Sequence, residues 1–171
     1  MSRVLLSSLF LLLLSGCGYH TAGSATHIPP DVRTLAVPVF ATHVQAFHTE
    51  MAFTDAVVRE LNSRTRYRVL NSASSSADAT LNGTILAQTA APLTYDAPSG
   101  QTSSYLLTIT AKVILTSHDG RVLYRNDALT FREQYQSTQD LSSFIQEDTA
   151  AVRRLSRDFA KTVVSDMLES F

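Results

Sequence analysis

The stretch that decides the fold is Tyr105–Leu115, YLLTITAKVIL, with the Asp119-Gly120 pair four residues beyond it and VLYRNDALTFREQY at 122–135 after that. Tyr105, Leu107, Ile109, Ala111, Val113 and Leu115 alternate with Thr108, Thr110 and Lys112, so one face of a strand is apolar and the other largely polar. Asp-Gly after such a run predicts a tight antiparallel hairpin. The return segment loses phase around Asn126-Asp127, which predicts a bulge. Upstream, Ala79, Leu81, Gly83, Ile85 and Ala87 form a second alternating run, and Ala91–Ser103, with Pro92, Pro98 and Ser99-Gly100, reads as the loop joining the two.

Outside this meander the period changes. Phe53, Ala56, Val57 and Leu61 recur at helical spacing, with Thr49 as cap and Glu50 at the positive end. Tyr67–Leu70 begins an extended segment, and Asn71–Ala77 is a Ser-rich loop. At the far end, Ser143-x-x-Gln146 reads as a capping box before a helix striped by Ile145, Val152, Leu155, Phe159, Val163 and Met167. Val32–Phe40 is the first strand, with Pro38 confining part of it to an edge or bulge. The order β-α-β-β-β-α predicts an α+β two-layer sandwich, with two helices on one face of a four-stranded, mostly antiparallel sheet.

Composition limits the function. The chain has 171 residues, with 44% hydrophobic and 17% charged, enough for one packed domain. Fourteen Lys+Arg against fifteen Asp+Glu argue against a nucleic-acid partner. A single Cys rules out an intramolecular disulfide or a multi-Cys zinc site. His20, His27, His43, His48 and His118 show no ligand spacing, so no metal is expected. There is no G-x-S-x-G elbow, S-x-x-K motif or phosphate loop. The carboxylates suit solvated helix faces, so no enzyme is expected.

The N-terminus gives the clearest signal. Arg3 precedes the apolar run Val4–Leu14, too short to span a bilayer. That run ends in Leu14-Ser15-Gly16-Cys17, which resembles a bacterial lipobox. The resemblance implies removal of residues 1–16 and lipidation of Cys17, with no other cofactor. Two or three acyl chains there would anchor the protein stably. Gly18 rather than Asp favours the outer membrane, facing the periplasm. Residues 17–30 form a short tether of at most about 45 Å beyond Cys17, and 31–171 the single domain.

The ordered segments CGYH at 17–20, PPDVRTLAVPVF at 29–40, VVRELNSRTRYRVL at 57–70, ADATLNGTI at 77–85, PLTYD at 92–96 and GRVLYRNDALTFREQY at 120–135 resemble the lipopolysaccharide-assembly lipoprotein family LptE. The resemblance implies two helices on a four-stranded sheet. It also implies a plug in the lumen of the LptD β-barrel that takes part in inserting lipopolysaccharide into the outer leaflet. The expected partners are that barrel, lipopolysaccharide and the membrane holding the anchor. Lipid A phosphates and acyl chains call for cations beside apolar groups. Arg121 at the hairpin turn, Lys112 and Arg125 on the hairpin, and Tyr95 and Tyr105 flanking the 92–104 loop are the expected contacts. Arg59, Arg64, Arg66 and Arg68 suit the end of the first helix. A different outer-membrane lipoprotein, acting as adaptor or activator of a cell-wall enzyme, is the alternative reading.

Overall fold

The alternation along 105–115 is real burial. Leu107, Ile109, Ala111, Val113 and Leu115 are each 1% exposed or less, while the intervening side chains face outward. The computed structural model describes residues 28–44, 48–95, 102–136 and 141–169. The chain runs β1 (Thr34–Ala36), β2 (Ala41–Thr42), α1 (Thr49–Arg64), β3 (Arg68–Leu70), β4 (Ala79–Tyr95), β5 (Thr102–Ser117), β6 (Val122–Gln136) and α2 (Leu141–Glu169). The sheet order is β3-β1-β4-β5-β6, with β2 also on β4. Pairings of β4 with β5 and of β5 with β6 are antiparallel, and those made by β1 and β2 are parallel. The α+β class with a mixed, mostly antiparallel sheet is therefore as expected, but the sheet has six strands rather than four.

The two extra strands have physical causes. Val32–Phe40 does not stay one strand: β1 ends at Ala36 and β2 begins at Ala41, with Pro38, which has no N–H to give a ladder, between them. The extended segment 67–70 closes onto β1 in parallel register, Leu35 opposite Val69.

Four further expectations are corrected. Ala91–Tyr95 and Thr102–Ser103 are ladder rather than loop, with register shifts at Pro92/Thr94 and Thr94/Tyr95 absorbing the proline, while residues 96–101, with Pro98 and Ser99-Gly100, lie outside the described residues. Ala87 does not continue the inward row, because Leu86 is an extra residue between the pairs Ile85–Ala111 and Ala87–Thr110. That bulge flips the strand, so Gln88, opposite Ile109, takes the inner face. Thr49 does not cap α1. His48 holds the N-cap in the left-handed region (φ 55°), and the Thr49 hydroxyl, inside the helix, donates to Gln88 Oε1 at 2.8 Å. Similarly α2 already begins at Leu141, so Ser143 lies within its first turn. The bulge expected at Asn126-Asp127 is present, between the pairs Val113–Asn126 and Ala111–Leu129.

Both helices bury the faces their periodicity assigned: Phe53, Ala56, Val57 and Leu61 on α1, and Val152, Leu155, Phe159, Val163 and Met167 on α2. Phe159 is the hub. Its ring centroid lies 4.8 Å from Phe53, 5.7 Å from Phe131 and 6.1 Å from Phe40, which joins both helices, β6 and the β1–β2 link. Burying such a side chain contributes about 1.5–3 kcal/mol, and edge-on aromatic pairs add to it. Phe40 lies directly on Gly83 of β4: a Cβ there would come within 2.3 Å of Phe40 Cδ2 and Cε2. Packing already begins at Ile28, which is 4% exposed.

Candidate functional site

The helices cover one face of the sheet, and the other is left open. On β5 that open face presents Leu106, Thr108, Thr110, Lys112, Ile114 and Thr116, and on the first half of β4 it presents Thr80, Asn82 and Thr84. Register sets its charge. Arg125 pairs with Ile114 and Arg132 with Thr108, both outward positions of β5. An odd and an even residue of β6 share one face only because the bulge between them resets the pleat. Lys112, Arg125 and Arg132 therefore project from one face, not from both.

Lys112 sits opposite the bulge. Its Nζ is 3.1 Å from Asp127 Oδ1, and Arg125 Nε donates to Asp127 Oδ2 at 2.8 Å. Hydrogen bonds first from Arg125 and then from Lys112 hold the Asp127 carboxyl below the usual aspartate range, and the same pairing raises Arg125. All three groups are at least one-third exposed, so the cluster is a solvated triad with two cations on one anion. Arg132 is exposed nearby, and the Thr110 and Thr130 hydroxyls bond across the strands at 3.0 Å. Asp127 is the member that sequence reasoning did not place in the site; as one of the two residues marking the bulge it was visible only as a break in pattern.

The other expected contacts lie elsewhere. Arg121 follows Gly120 (φ 88°) in the β5–β6 turn, beside a polar cavity of about 450 Å³ whose lining includes Asp31, Ser76, Asp78 and His118. Two carboxylates there are engaged in the fold. Asp78 Oδ2 accepts the N–H groups of Arg33 (2.9 Å) and Thr34 (2.8 Å), which lowers its pKa. Asp119 accepts from the Ser117 hydroxyl and from Arg121 N, with the same effect. Tyr105 lies twelve residues along β5 from Ser117, about 40 Å in an extended strand, so it shares no site with Arg121. Its ring stacks on Tyr135 at 5.6 Å and 19°. Tyr95 ends β4 and is 64% exposed. Cys17, His20 and His27 lie outside the described residues.

The arginines around the end of the first helix divide in role. Arg64 Nη1 donates to Ser165 Oγ at 2.7 Å and lies 3.6 Å from Glu60, with Nη2 3.8 Å from Glu169, fastening the C-terminal ends of both helices. Arg59, Arg66 and Arg68 are exposed. On the helix side, Arg154 Nε donates to Glu133 Oε1 at 2.5 Å. Burial, then the Asp166 carboxylate, push the Tyr124 hydroxyl up to about 12, so it stays protonated at physiological pH. Among the described residues no group of three His, Cys, Asp or Glu could hold a metal ion.

Comparison with known proteins bears on this geometry. The model of one protein family, described as Lipopolysaccharide-assembly, LptE, matches residues 32–167, which takes in every strand and both helices up to Met167. No curated protein matches the chain. Among solved structures, the uncharacterized lipoprotein B of Nitrosomonas europaea superposes with a TM-score of 0.56 at 12% identity, over 88% of this chain and 90% of that one. A minor lipoprotein from Acinetobacter baumannii gives 0.51 at 13% identity, over 80% and 92%. At these identities the likeness is one of fold.

Proposed function

Because the chain belongs to the lipopolysaccharide-assembly family LptE, we propose that it is an outer-membrane lipoprotein, anchored through Cys17 and facing the periplasm, that seats in the lumen of an LptD-type β-barrel and takes part in moving lipopolysaccharide into the outer leaflet. The role is assembly and binding, without turnover chemistry of its own. The observation that carries the reading is the open face of the sheet. A sheet with one bare face ordinarily solvates it or gives it to a partner. Here that face is dressed in Thr and Asn, which suit the polar interior of a barrel, and its cations outnumber its single carboxylate.

The cations also suit the ligand. Lys112, Arg125 and Arg132 on one face offer donors for the phosphates of lipid A, and Arg is the better bidentate partner. Asp127 competes for two of them, so an arriving phosphate takes over hydrogen bonds that already exist. Arg121 at one end and Tyr95 at the other are separate, secondary contacts. Tyr105 contributes by holding Tyr135 and the end of the hairpin in shape.

The test is a detergent pulldown of the full-length lipidated protein from its own outer membrane. Recovery of a large β-barrel near one-to-one supports the plug. Recovery of cell-wall enzymes instead, with no barrel, refutes it in favour of an adaptor. Lipopolysaccharide binding that is unchanged in Lys112→Glu and Arg125→Glu would remove the open face from the ligand site.

A further inference from the structure

The cations of the open face do not form one patch. Along β5 that face reads Ile114, Lys112, Thr110, Thr108 and Leu106, and β6 sets Arg125 opposite Ile114, Thr130 opposite Thr110 and Arg132 opposite Thr108. Lys112 turns sideways across the bulge to Asp127, which also holds Arg125. Arg132 stands apart from them. Its cross-strand partner Thr108 lies four residues along β5 from Lys112, about 13 Å in an extended strand.

Nothing on the sheet neutralises Arg132. Its neighbour Glu133 is turned to the helix side, where it accepts from Arg154. Among the described residues Arg132 has no ion-pair partner. Between the two cationic positions lie the Thr110 and Thr130 hydroxyls, bonded to each other at 3.0 Å and open to solvent. Beyond each position the row turns apolar, with half-buried Ile114 past Lys112 and half-buried Leu106 past Thr108. Side chains on a strand stand roughly perpendicular to the sheet, and the bond to Asp127 aims Lys112 across the strands rather than along them. The two positions therefore do not converge on one phosphate.

We propose that the open face recognises a glycolipid disaccharide phosphorylated at both ends. Lys112 and Arg125 take one phosphate, Arg132 takes the other, and the Thr110–Thr130 pair meets the sugars between them. Ile114 and Leu106 lie against the first carbons of the acyl chains. This rests on the lipopolysaccharide reading above and specifies what part of that ligand the face measures. The separation of the two positions has the scale of two sugar rings laid end to end. At one end the phosphate takes over donors that Asp127 already engages; at the other, Arg132 offers an unengaged planar fork suited to bidentate contact. The second phosphate binds as part of a ligand already held, so its contact adds affinity without a second loss of translational freedom. The same lipid with one phosphate forfeits that gain.

The test titrates the full-length lipidated protein in detergent, at fixed salt, with bisphosphoryl and with monophosphoryl lipid A of the same acylation. The ratio of the two Kd values is the readout. Bisphosphoryl lipid A should bind about tenfold or more tightly, the effect of one contact to a charged group. An extra charge favours any cationic surface, so variants decide the cause. Arg132→Gln should bring the ratio close to one, and Arg132→Lys, which keeps the charge and loses the fork, should lower it partway. Arg66→Gln removes an exposed cation beyond α1 and should leave the ratio as in wild type. A wild-type ratio near one, a ratio that survives Arg132→Gln, or one lost equally in Arg66→Gln overturns the two-phosphate site. If binding still falls in Lys112→Glu and Arg125→Glu, the open face stands as the ligand site without it. Lipid A binding that is absent in wild type, or unchanged in those two variants, overturns both.

Discussion

Replacing Gly83 by alanine tests the core at its tightest point. The added Cβ would stand 2.3 Å from Phe40 Cδ2 and Cε2 and 2.5 Å from Cγ, against an optimum of about 3.5–4.0 Å between carbons. Gly83 cannot retreat, because it sits mid-strand opposite Val113 with ladder on both sides. Phe40, 3% exposed and edge-on to Phe159, must therefore leave its place. Losing most of a buried phenyl costs about 3–5 kcal/mol, and restricting the unfolded chain by Gly→Ala returns about 0.4–1 kcal/mol. The expected net destabilisation is about 2–4 kcal/mol, or about 10 °C in Tm for a domain of this size. Equilibrium urea unfolding read by circular dichroism measures it. In a Phe40→Ala background the same substitution meets open space and should be neutral or slightly stabilising, so a double-mutant cycle should report coupling of about 2 kcal/mol or more. Gly83→Ala unfolding at the wild-type midpoint, or costing as much without Phe40 as with it, would refute the reasoning.

Further outcomes follow from single residues. Asp78→Asn should destabilise the domain at pH 7. The two N–H donors depress the folded-state pKa of Asp78 below its ordinary 3.8, so its stabilisation is complete above that value and is lost as pH falls through the depressed one. The gap between variant and wild type in urea midpoint should narrow between pH 7 and pH 3, and a constant gap would contradict this. Asp127→Asn releases Lys112 and Arg125, so binding of lipopolysaccharide to the isolated protein should tighten, read by titration at fixed salt; weaker binding would assign Asp127 a part in the contact. Arg121→Glu leaves the fold intact, since its described bonds are those of the backbone, and thermal melting within about 0.5 kcal/mol of wild type checks that. Cys17→Ala should move the protein from the membrane to the soluble fraction with an unchanged melting curve, and a lower melting temperature would show that the anchor also supports the fold.

Much of the architecture was written in short-range pattern. The β5 alternation, the Asp-Gly turn, both helical stripes and the β6 bulge each depend on residues close in sequence, and each was legible. What failed depended on partners. Pro92 reads as a loop residue, yet it and its neighbours are held in a ladder by β5, which a local reading cannot weigh. The Leu86 bulge has no marker of its own, so Ala87 was assigned the wrong face. Thr49 looked like a cap because nothing in its neighbourhood reveals Gln88, thirty-nine residues away. The site behaved likewise. Lys112 and Arg125 could be named as cations on a hairpin, but their union through Asp127 follows from register. The 40 Å between Tyr105 and the turn bearing Arg121 follows from the length of β5, which the 105–115 alternation already implies.

The strand order has a consequence for how the chain acquires its shape. β1 is the earliest strand to be synthesised, yet it lies between β3 and β4, so its second neighbour is not available until residue 79 has followed. The β4-β5-β6 meander, by contrast, is built from contacts between consecutive segments and is favoured to form quickly. In the proposed setting of an exported lipoprotein, the leading part of the domain would therefore wait, with Leu35 and Phe53 uncovered, until the later meander arrives to receive it. A polypeptide threaded N-terminus first but completed from its C-terminal half spends that interval open to chaperones and proteases.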